Sequence, residues 1–446
     1  MRKHLLILVF VVLPLIGLAQ EMPFRVKSSN RYSASSMVGT VEIDSTKYYQ
    51  LRFIQEFDYK KWGMGIDLDF LFDRDYHLKK SDWDHIGDFL GKIYYVRYGD
   101  PGDPIYGHFG GFPRRSVRNG LIMHNYSNMF FYPDQRNLGL LLGVNPNIKM
   151  KPEIEIFSSD IERLPIFSIS GHFKPLPDSS LQYIRDLELG MALFTDRNQK
   201  GNLKYTLGDS LYHAIDRGDP KALNIFSFDY TLPILNTDKL VLGNYAEIAH
   251  IVDHGTGFIL PGIYADLNYL KINLEYRKHG DSFIPGYFDH FYEEERCTLV
   301  PTSDSTYALV TKEDLLSESR AAYGFYGKLE GLIGERLKAM VAWQNMYGDD
   351  VSNGKSLWFS LWVDTRYGML ENVSFAYSKT RVNELNLGKV AVPRAQMSAS
   401  FTLSLSEKRR WFLIGKYSEK YKDKEGGINW WKDTKRSAAV GVKVTF

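Results

Sequence analysis

The chain has 446 residues, a net charge of +2 and a single cysteine, Cys297. The balanced charge argues against nucleic-acid binding, and one cysteine excludes a disulfide framework within the chain. Tyrosine and phenylalanine are abundant, with 29 and 27 residues, and such a composition favours strands and the aromatic girdles of membrane proteins.

Residues 1–19 are predicted to be a secretory signal peptide. Basic residues 2–4 precede an apolar run over residues 5–16, and Gly17 and Ala19 are small residues at the positions that a signal peptidase recognises. The apolar run is too short to span a membrane as a helix. We therefore expect the protein to be exported.

Alternation of apolar and polar side chains with a period of two recurs along the chain. Residues 62–73, 270–277 and 396–405 all place apolar residues on one face and polar or charged residues on the other. In residues 356–364 the same pattern is interrupted, because Trp358 and Trp362 fall on the polar face. Faces with this many charges do not fit a dry core, and strands of about ten residues are as long as membrane strands.

Residues 80–136 differ from the rest of the chain. They are dense in glycine, aspartate, arginine and aromatic residues, and their predicted strands are short. We consider this segment a candidate for folding into the interior of the domain.

Connection lengths alternate in the C-terminal half of the chain. Long connections are predicted at 279–319, 379–393 and 419–436, and short ones between them, as at 365–369 and 406–409. Short turns on one side and long loops on the other are typical of outer-membrane barrels. A soluble sandwich has no reason to keep this rhythm.

The chain ends in the sequence SAAVGVKVTF, in which apolar residues alternate up to the last position. On one face lie Ala438, Val440, Val442, Val444 and Phe446. This pattern resembles the closing strand of Gram-negative outer-membrane β-barrels. The resemblance implies that the barrel-insertion machinery recognises Val440, Val442, Val444 and Phe446.

These patterns together predict an all-β fold, a transmembrane antiparallel β-barrel of about 18 strands, within a range of about 16–20. We expect one barrel domain over residues 20–446, located in the bacterial outer membrane, with short periplasmic turns and long extracellular loops. The first predicted strand is 48–58, and 116–126 is predicted to be another.

Within such a barrel, residues 80–136 are a candidate pore constriction. The segment has a "GLIM…YSN…YP…R" pattern and is similar to a segment of uncharacterised outer-membrane proteins of the Bacteroidetes type, a likeness that implies no activity. In the predicted constriction, three arginines face three aspartates across the lumen: Arg114, Arg115, Arg118, Asp100, Asp103 and Asp134. The alternative is a set of ordinary turns with solvated charges.

The sequence favours a protein that is not an enzyme. His124 and Ser127 are three residues apart and would point to opposite faces of a regular strand, so they do not form a catalytic dyad unless a β-bulge intervenes. We interpret the His and acid clusters at 250–254 and 289–295 as solvated loops rather than metal sites. We expect no metal and no cofactor.

Two functions are compatible with the predicted barrel. The one we favour is a porin-like channel for small polar solutes, because the predicted barrel is large and has a charged inner face. The alternative is a barrel without an open pore that attaches surface polysaccharide, as capsule-attachment barrels do, or assembles the cell envelope. Expected partners are outer-membrane lipid, lipopolysaccharide and the insertion machinery, with polysaccharide added under the alternative and no nucleic acid under either.

Overall fold

The computed structural model describes residues 31–445 with some gaps. The gaps are 44–45, 81–82, 84–85, 133–135, 164, 177–183, 202, 204–220, 304–305, 334–335, 350, 352, 387, 409 and 422–433. The predicted signal peptide and Phe446 lie outside the described residues.

In the described part of the chain, a single antiparallel sheet of 20 strands closes on itself as a barrel. The strands run in chain order around the barrel, and β1 pairs with both β2 and β22, so the sheet has no open edge. The first eleven strands are β1 (Arg31–Ile43), β2 (Thr46–Tyr59), β3 (Trp62–Phe72), β4 (Ile93–Tyr98), β5 (Ile105–Gly110), β6 (Gly139–Val144), β7 (Glu153–Ser158), β8 (Ile166–Phe173), β9 (Glu188–Asp196), β10 (Leu223–Asn236) and β11 (Val241–Ile251). The others are β12 (Thr256–Asp266), β13 (Leu270–His279), β14 (Cys297–Ser303), β15 (Thr306–Thr311), β16 (Ala322–Ile333), β17 (Leu337–Tyr347), β18 (Lys355–Tyr367), β19 (Leu370–Val382), β20 (Ala395–Ser404), β21 (Trp411–Tyr421) and β22 (Thr434–Thr445).

Strands β14 and β15 form a hairpin outside the barrel sheet. The short helices are α1 (Ile86–Gly91), α2 (Tyr292–Glu295) and a 3₁₀ helix (Asp314–Glu318). None of the helices in the described residues is long and apolar enough to cross a membrane.

The alternation in the sequence corresponds to the two surfaces of the barrel. In β3, Trp62 and Met64 are exposed on the outside, whereas Asp67 and Asp69 point inward and are buried. In β10, the exposed outward side chains include Phe228. An exterior this apolar does not suit water, and it is the surface that a membrane barrel presents to lipid.

The last strand has the two faces expected from its sequence. Val440 is exposed on the outside and lies opposite Val38 of β1, and Val442 and Val444 follow on the same face. The residues between them, such as Lys443, face the interior. Recognition of this strand by insertion machinery stays a prediction.

Long and short connections are segregated between the two ends of the barrel. One end, the long-loop end, carries 73–92, 111–138, 197–222 and 280–321. The other, the short-turn end, carries 60–61, 237–240, 267–269, 334–336 and 368–369, together with the start of β1 and the end of β22. The predicted rhythm is confirmed with three exceptions. The β1–β2 connection and residues 252–255 are short at the long-loop end, and residues 174–187 are long at the short-turn end.

The observed strand number lies within the predicted range but above the expected 18. Strand β1 was not predicted, because small or polar residues on its lipid-facing side, such as Ala34, Ser36 and Thr40, interrupt the apolar alternation. Its position is set by its pairing with β2 and β22. The predicted strand 116–126 is wrong. This segment lies in the lumen and forms only the isolated bridges Arg115↔Tyr126 and Met123↔Phe288 among the described residues.

Candidate functional site

Two connections from the long-loop end fold into the lumen. They are the described residues of 111–138, between β5 and β6, and of 280–321, between β13 and β16; we call them together the plug. Backbone hydrogen bonds join them: the N–H of His124 donates to the carbonyl of Phe288, and the N–H of Phe288 donates to the carbonyl of Ile122, both at 3.0 Å. The two segments therefore form one body inside the barrel.

A dry core fixes the plug to one side of the wall. The plug contributes Phe112, Val117, Leu121, Ile122, Met123, Tyr126, Phe283, Tyr287, Phe288, Tyr292 and Leu316. The wall contributes Tyr106, Leu141, Phe157, Ile166, Ala192, Phe194, Leu223, Ile225, Tyr245, Ala249, Ile251 and Ile259, all from β5–β12. Each large apolar side chain buried here stabilises the packed state by about 1.5–3 kcal/mol, so this core holds the plug firmly.

A buried ion network crosses the same interface. Arg296 of the plug donates to Asp196 of β9 at 2.7 Å and to Glu293 at 3.0 Å, and all three side chains are buried. The hydroxyls of Tyr292 and Tyr126 donate to Asp196 and Glu293 respectively. Burial raises the pKa of Glu293, and this effect outweighs the opposing one of Arg296. Such a network is costly to break, because each partner would leave an uncompensated buried charge.

A second ion cluster joins the plug to the wall at β19–β20. Arg381 of β19 and Arg394, just before β20, both donate to Asp289, at 3.2 and 2.9 Å. Both arginines also pair with Glu295, and the Lys312 ammonium lies 3.3 Å from the same carboxylate. Burial lowers the pKa of Lys312 to about 7. The acids at 289–295 were expected to lie in a solvated loop. Asp289 and Glu295 instead form ion pairs with arginine and lysine side chains inside the barrel.

A third contact joins the plug to β2 and β3. Arg52 of β2 forms a two-bond pair with Asp67 of β3, at 2.9 and 2.8 Å. From the plug, Arg136 donates to the carbonyl of Asp67 at 2.8 Å, and the hydroxyl of Tyr132 donates to the Asp67 carboxylate. Lys420 of β21 donates to a plug carbonyl nearby. Plug contacts therefore reach sides of the wall that the apolar core does not.

The arginines of the predicted constriction are all in the plug, and two of them, Arg115 and Arg118, pair with wall acids other than those expected. Arg115 pairs with Glu155 of β7, and Arg118 forms a two-bond pair with Asp229 of β10, at 2.8 and 2.6 Å. Asp103 is at the short-turn end, where it lies 3.2 Å from Lys61.

The expected pairing with Asp100 and Asp103 is not observed, because residues 99–104, which include both, turn between β4 and β5 at the other end of the barrel. Asp134 lies outside the described residues. Burial lowers the pKa of Arg114. The role of these arginines as a constriction stays a prediction.

His124 and Ser127 lie in the plug and not on a strand. His124 packs edge-on against Trp358 at 5.3 Å between ring centroids, whereas the Ser127 hydroxyl accepts a hydrogen bond from the N–H of Met129. Burial lowers the pKa of His124 to about 3. The two side chains therefore have separate structural surroundings.

Two cavities adjoin the plug within the described structure, and a third is lined by wall residues alone. One of about 60 Å³ lies between the plug and the wall at β17–β20. A second of about 340 Å³ and a third of about 630 Å³ follow toward the short-turn end. Met340 lines all three, so they are neighbours along one wall.

Sequence reasoning missed the second plug segment, which was expected to be an external loop. A signal was present in its composition, since Phe283, Tyr287, Phe288, Phe291 and Tyr292 are too many large aromatic residues for a solvated loop. All five are buried.

No protein-family model matches the chain, and no curated protein matches it. Solved structures with a similar fold include OccAB2 of Acinetobacter baumannii, at 9% identity and a TM-score of 0.35 over 96% of this chain and 99% of that chain. Others are the siderophore receptor PirA of Pseudomonas aeruginosa (9%, TM-score 0.40, 95% and 81%) and Wzi of Escherichia coli, a carbohydrate-binding β-barrel involved in group 1 capsule assembly (12%, TM-score 0.35, 93% and 84%). Likeness at this level carries no argument about function.

Proposed function

We propose that this protein is an outer-membrane β-barrel without an open pore, which attaches a surface polysaccharide or takes part in assembly of the cell envelope. The observation that supports this most is the set of plug contacts around the lumen. Described plug side chains or carbonyls contact β2–β3, β7, β9–β10, β16, β18, β19 and β21. A solute entering from the long-loop end would meet this packed body.

The width of the barrel adds to this argument. A barrel of 20 strands is wide enough to hold an aqueous channel when its interior is left empty. Here the interior contains a dry core and buried ion pairs, which cost desolvation to form. A filling with so many specific contacts suits a fixed scaffold better than a diffusion path.

The location rests on the surface and polarity of the barrel. Its exterior is apolar, and the start of β1 and the end of β22 lie at the short-turn end. This is the arrangement of outer-membrane barrels, whose short turns are periplasmic and whose long loops are extracellular. The long loops would then present the attachment surface to the outside.

The second candidate is a porin-like channel for small polar solutes. It is favoured by the cavities of about 340 and 630 Å³, which follow one wall toward the short-turn end. The arginines of the first plug segment, among them Arg114, would then line the solute path.

Single-channel recording in planar bilayers distinguishes the two candidates. We expect the purified protein to give no discrete conductance steps, and we expect steps after Arg381→Ala and Arg394→Ala are combined, because the plug then loses its contact with β19–β20. The double variant is the positive control, because conductance steps in it show that the assay detects an open barrel. Discrete steps in the unaltered protein, with an ion selectivity that Arg114→Gln changes, would contradict the proposal and support the channel.

A further inference from the structure

Four neighbouring strands of the barrel are too short to cross the apolar band of a membrane. Strands β4–β7 have six residues each, whereas β3 and β17, for example, have eleven. Six residues extend about 20 Å along a strand, and about 15 Å along the axis of a barrel whose strands tilt by roughly 40°. The apolar band of an outer-membrane barrel is about 25 Å tall. Eleven residues are enough to cross this band, and six are not.

Among the described residues, the missing height is at the long-loop end. Tyr98, the last residue of β4, lies opposite Trp62, the first residue of β3, so the two strands are level at the short-turn end. At its other end, Ile93 of β4 lies opposite Ile66, and β3 continues to Phe72. The upper ends of β5–β7 follow the ladder from β4. We call the low part of the wall, on the long-loop side of β4–β7, the notch.

The connection from β3 to β4, the described residues of 73–92, covers part of the notch. The N–H of Asp67 in β3 donates to the carbonyl of Lys92 at 2.8 Å. From the lumen, Arg136 of the plug donates to the carbonyl of Gly91, the last residue of α1, at 3.2 Å. Helix α1 therefore lies beside β3 and against the plug, where a longer β4 would run.

Aromatic rings place this connection on the lipid-facing side of the wall. Phe70 points outward from β3. The Trp83 ring stacks on Phe70 with 4.5 Å between the centroids, and Phe89 of α1 packs edge-on against Trp83 at 6.0 Å. Tyr76 likewise stacks on the outward-facing Tyr49 of β2, at 5.5 Å. The connection therefore folds over the outside of the barrel.

The outer surface of the notch is apolar and exposed. Phe89 and Leu90 of α1 are 57% and 51% exposed. On the short strands beside them, Leu142 of β6 and Ile156 of β7 are also exposed and point outward. The ring contacts with β3 join this surface to the lipid-facing exterior. An exposed apolar surface of this kind marks a site of interaction, and its position makes lipid the partner.

We propose that the notch binds the fatty-acyl chains of an outer-leaflet glycolipid, with Phe89 and Leu90 as contact residues. The notch is on the side of the long loops, which is the side of the outer leaflet, and glycolipid is the main lipid of that leaflet. Four strands about 4.8 Å apart make the notch about 19 Å wide, so it fits several acyl chains side by side. This inference rests on the proposed function, because the glycolipid would anchor the attached polysaccharide in the membrane.

Native mass spectrometry of the full-length protein in detergent tests this inference. The probes are lipid A, which has several acyl chains on a sugar headgroup, and phosphatidylglycerol, which has two. We expect lipid A to bind about tenfold or more tightly than phosphatidylglycerol, since it covers more of the apolar surface. Heat-modifiable migration on a gel shows that each variant used is folded.

Variants of the lipid-facing surface provide the matched control. Combining Phe89→Ser with Leu90→Ser should weaken lipid A binding by about tenfold or more. Phe226→Ser should leave it unchanged, because Phe226 is an exposed, outward-facing residue of β10, a strand of 14 residues outside the notch. Absence of a lipid A adduct on the folded protein, equal binding of the two lipids, or equal effects of the two variants would each overturn the inference.

A photo-crosslinking residue, p-benzoylphenylalanine, placed at Leu90 identifies what lies on this surface. We expect a crosslinked product that contains lipid A. A crosslinked dimer instead of a lipid adduct would mean that the surface binds a second copy of the chain, and would contradict the inference. Conductance steps in the unaltered protein would refute the closed barrel, whereas lipid binding is decided separately by mass spectrometry.

Discussion

Substitution of Arg296 by methionine is expected to loosen the plug. Arg296 is almost fully buried, bridges Asp196 of the wall and Glu293 of the plug at 2.7 and 3.0 Å, and lies over the ring of Tyr292. Methionine keeps much of the side-chain volume but removes both ion pairs. Two acids then remain buried without a cation.

Breaking a buried ion pair by removing one partner costs about 3–5 kcal/mol. The cost falls on the docked plug, because in an undocked plug water would solvate both carboxylates. The opening equilibrium of the plug should therefore rise by a factor between about one hundred and several thousand. The barrel ladder itself keeps all its hydrogen bonds, so we expect the strands to remain protected.

Hydrogen exchange followed by mass spectrometry measures this opening peptide by peptide. Peptides from residues 283–300 should lose protection in Arg296→Met, and peptides from β17–β21 should not. Arg320→Met is the matched control, since Arg320 is exposed in the same segment and should change stability by less than about 0.5 kcal/mol. Adding Asp196→Asn and Glu293→Gln to Arg296→Met should restore protection in part. Unchanged protection of 283–300 in the single variant would refute the reasoning.

Three further predictions concern pH, the lipid face and a strand end. Burial lowers the pKa values of His290 and His124 to about 3 from 6.5, so the docked plug should lose stability as pH falls below 6.5, by about 2 kcal/mol at pH 5 for each histidine. Exchange rates at pH 7 and pH 5 measure this loss, and His290→Gln should remove about half of it. Val442→Arg should destabilise the barrel by about 2–4 kcal/mol in a urea titration in lipid vesicles, and Ser437→Arg, facing the lumen on the same strand, should cost less. Gly110→Ala should cost about 1–3 kcal/mol in the same titration, because φ is +122° and the added Cβ would lie 2.5 Å from the Tyr94 carbonyl oxygen.

The barrel was predictable from sequence because one physical rule acts on each strand separately. A strand between lipid and a polar interior must alternate, and residues 62–73 show this without reference to any neighbour. Strand β1 lacks this signal, since its place depends on pairing with β2 and β22. The faces of β18 were also predictable, and the two tryptophans that interrupt its pattern, Trp358 and Trp362, face the lumen opposite Ala342 and Lys338.

The plug was only partly predictable. The density of arginine and glycine in 80–136 indicated an inward fold, but β4 and β5, which lie in this range, belong to the wall. Ion-pair partners could not be predicted from the sequence. Arg118 and Asp229, for example, are 111 residues apart, and no local sequence pattern links them. The sequence predicts that the acids of the second plug segment are solvated. It does so because the arginines that neutralise them, Arg381 and Arg394, lie far along the chain, and no local pattern links the two.

Most ion pairs between the plug and the wall are sorted by direction, and this sorting explains how polar strand faces become buried. The exception is Glu313 of the plug, which pairs with Lys221 just before β10. On the side of β2–β10, plug arginines pair with wall acids: Arg136 with Asp67, Arg115 with Glu155, Arg296 with Asp196 and Arg118 with Asp229. On the side of β19–β20 the signs are reversed, and plug acids pair with wall arginines: Asp289 and Glu295 with Arg381 and Arg394. A plug turned by half a revolution would bring like charges together on both sides, at a cost of several kcal/mol for each buried mismatch. The ion pairs therefore specify one orientation of the plug, while the apolar core against β5–β12 supplies the favourable free energy of docking. An interior arranged in this way favours a plug that stays in one place.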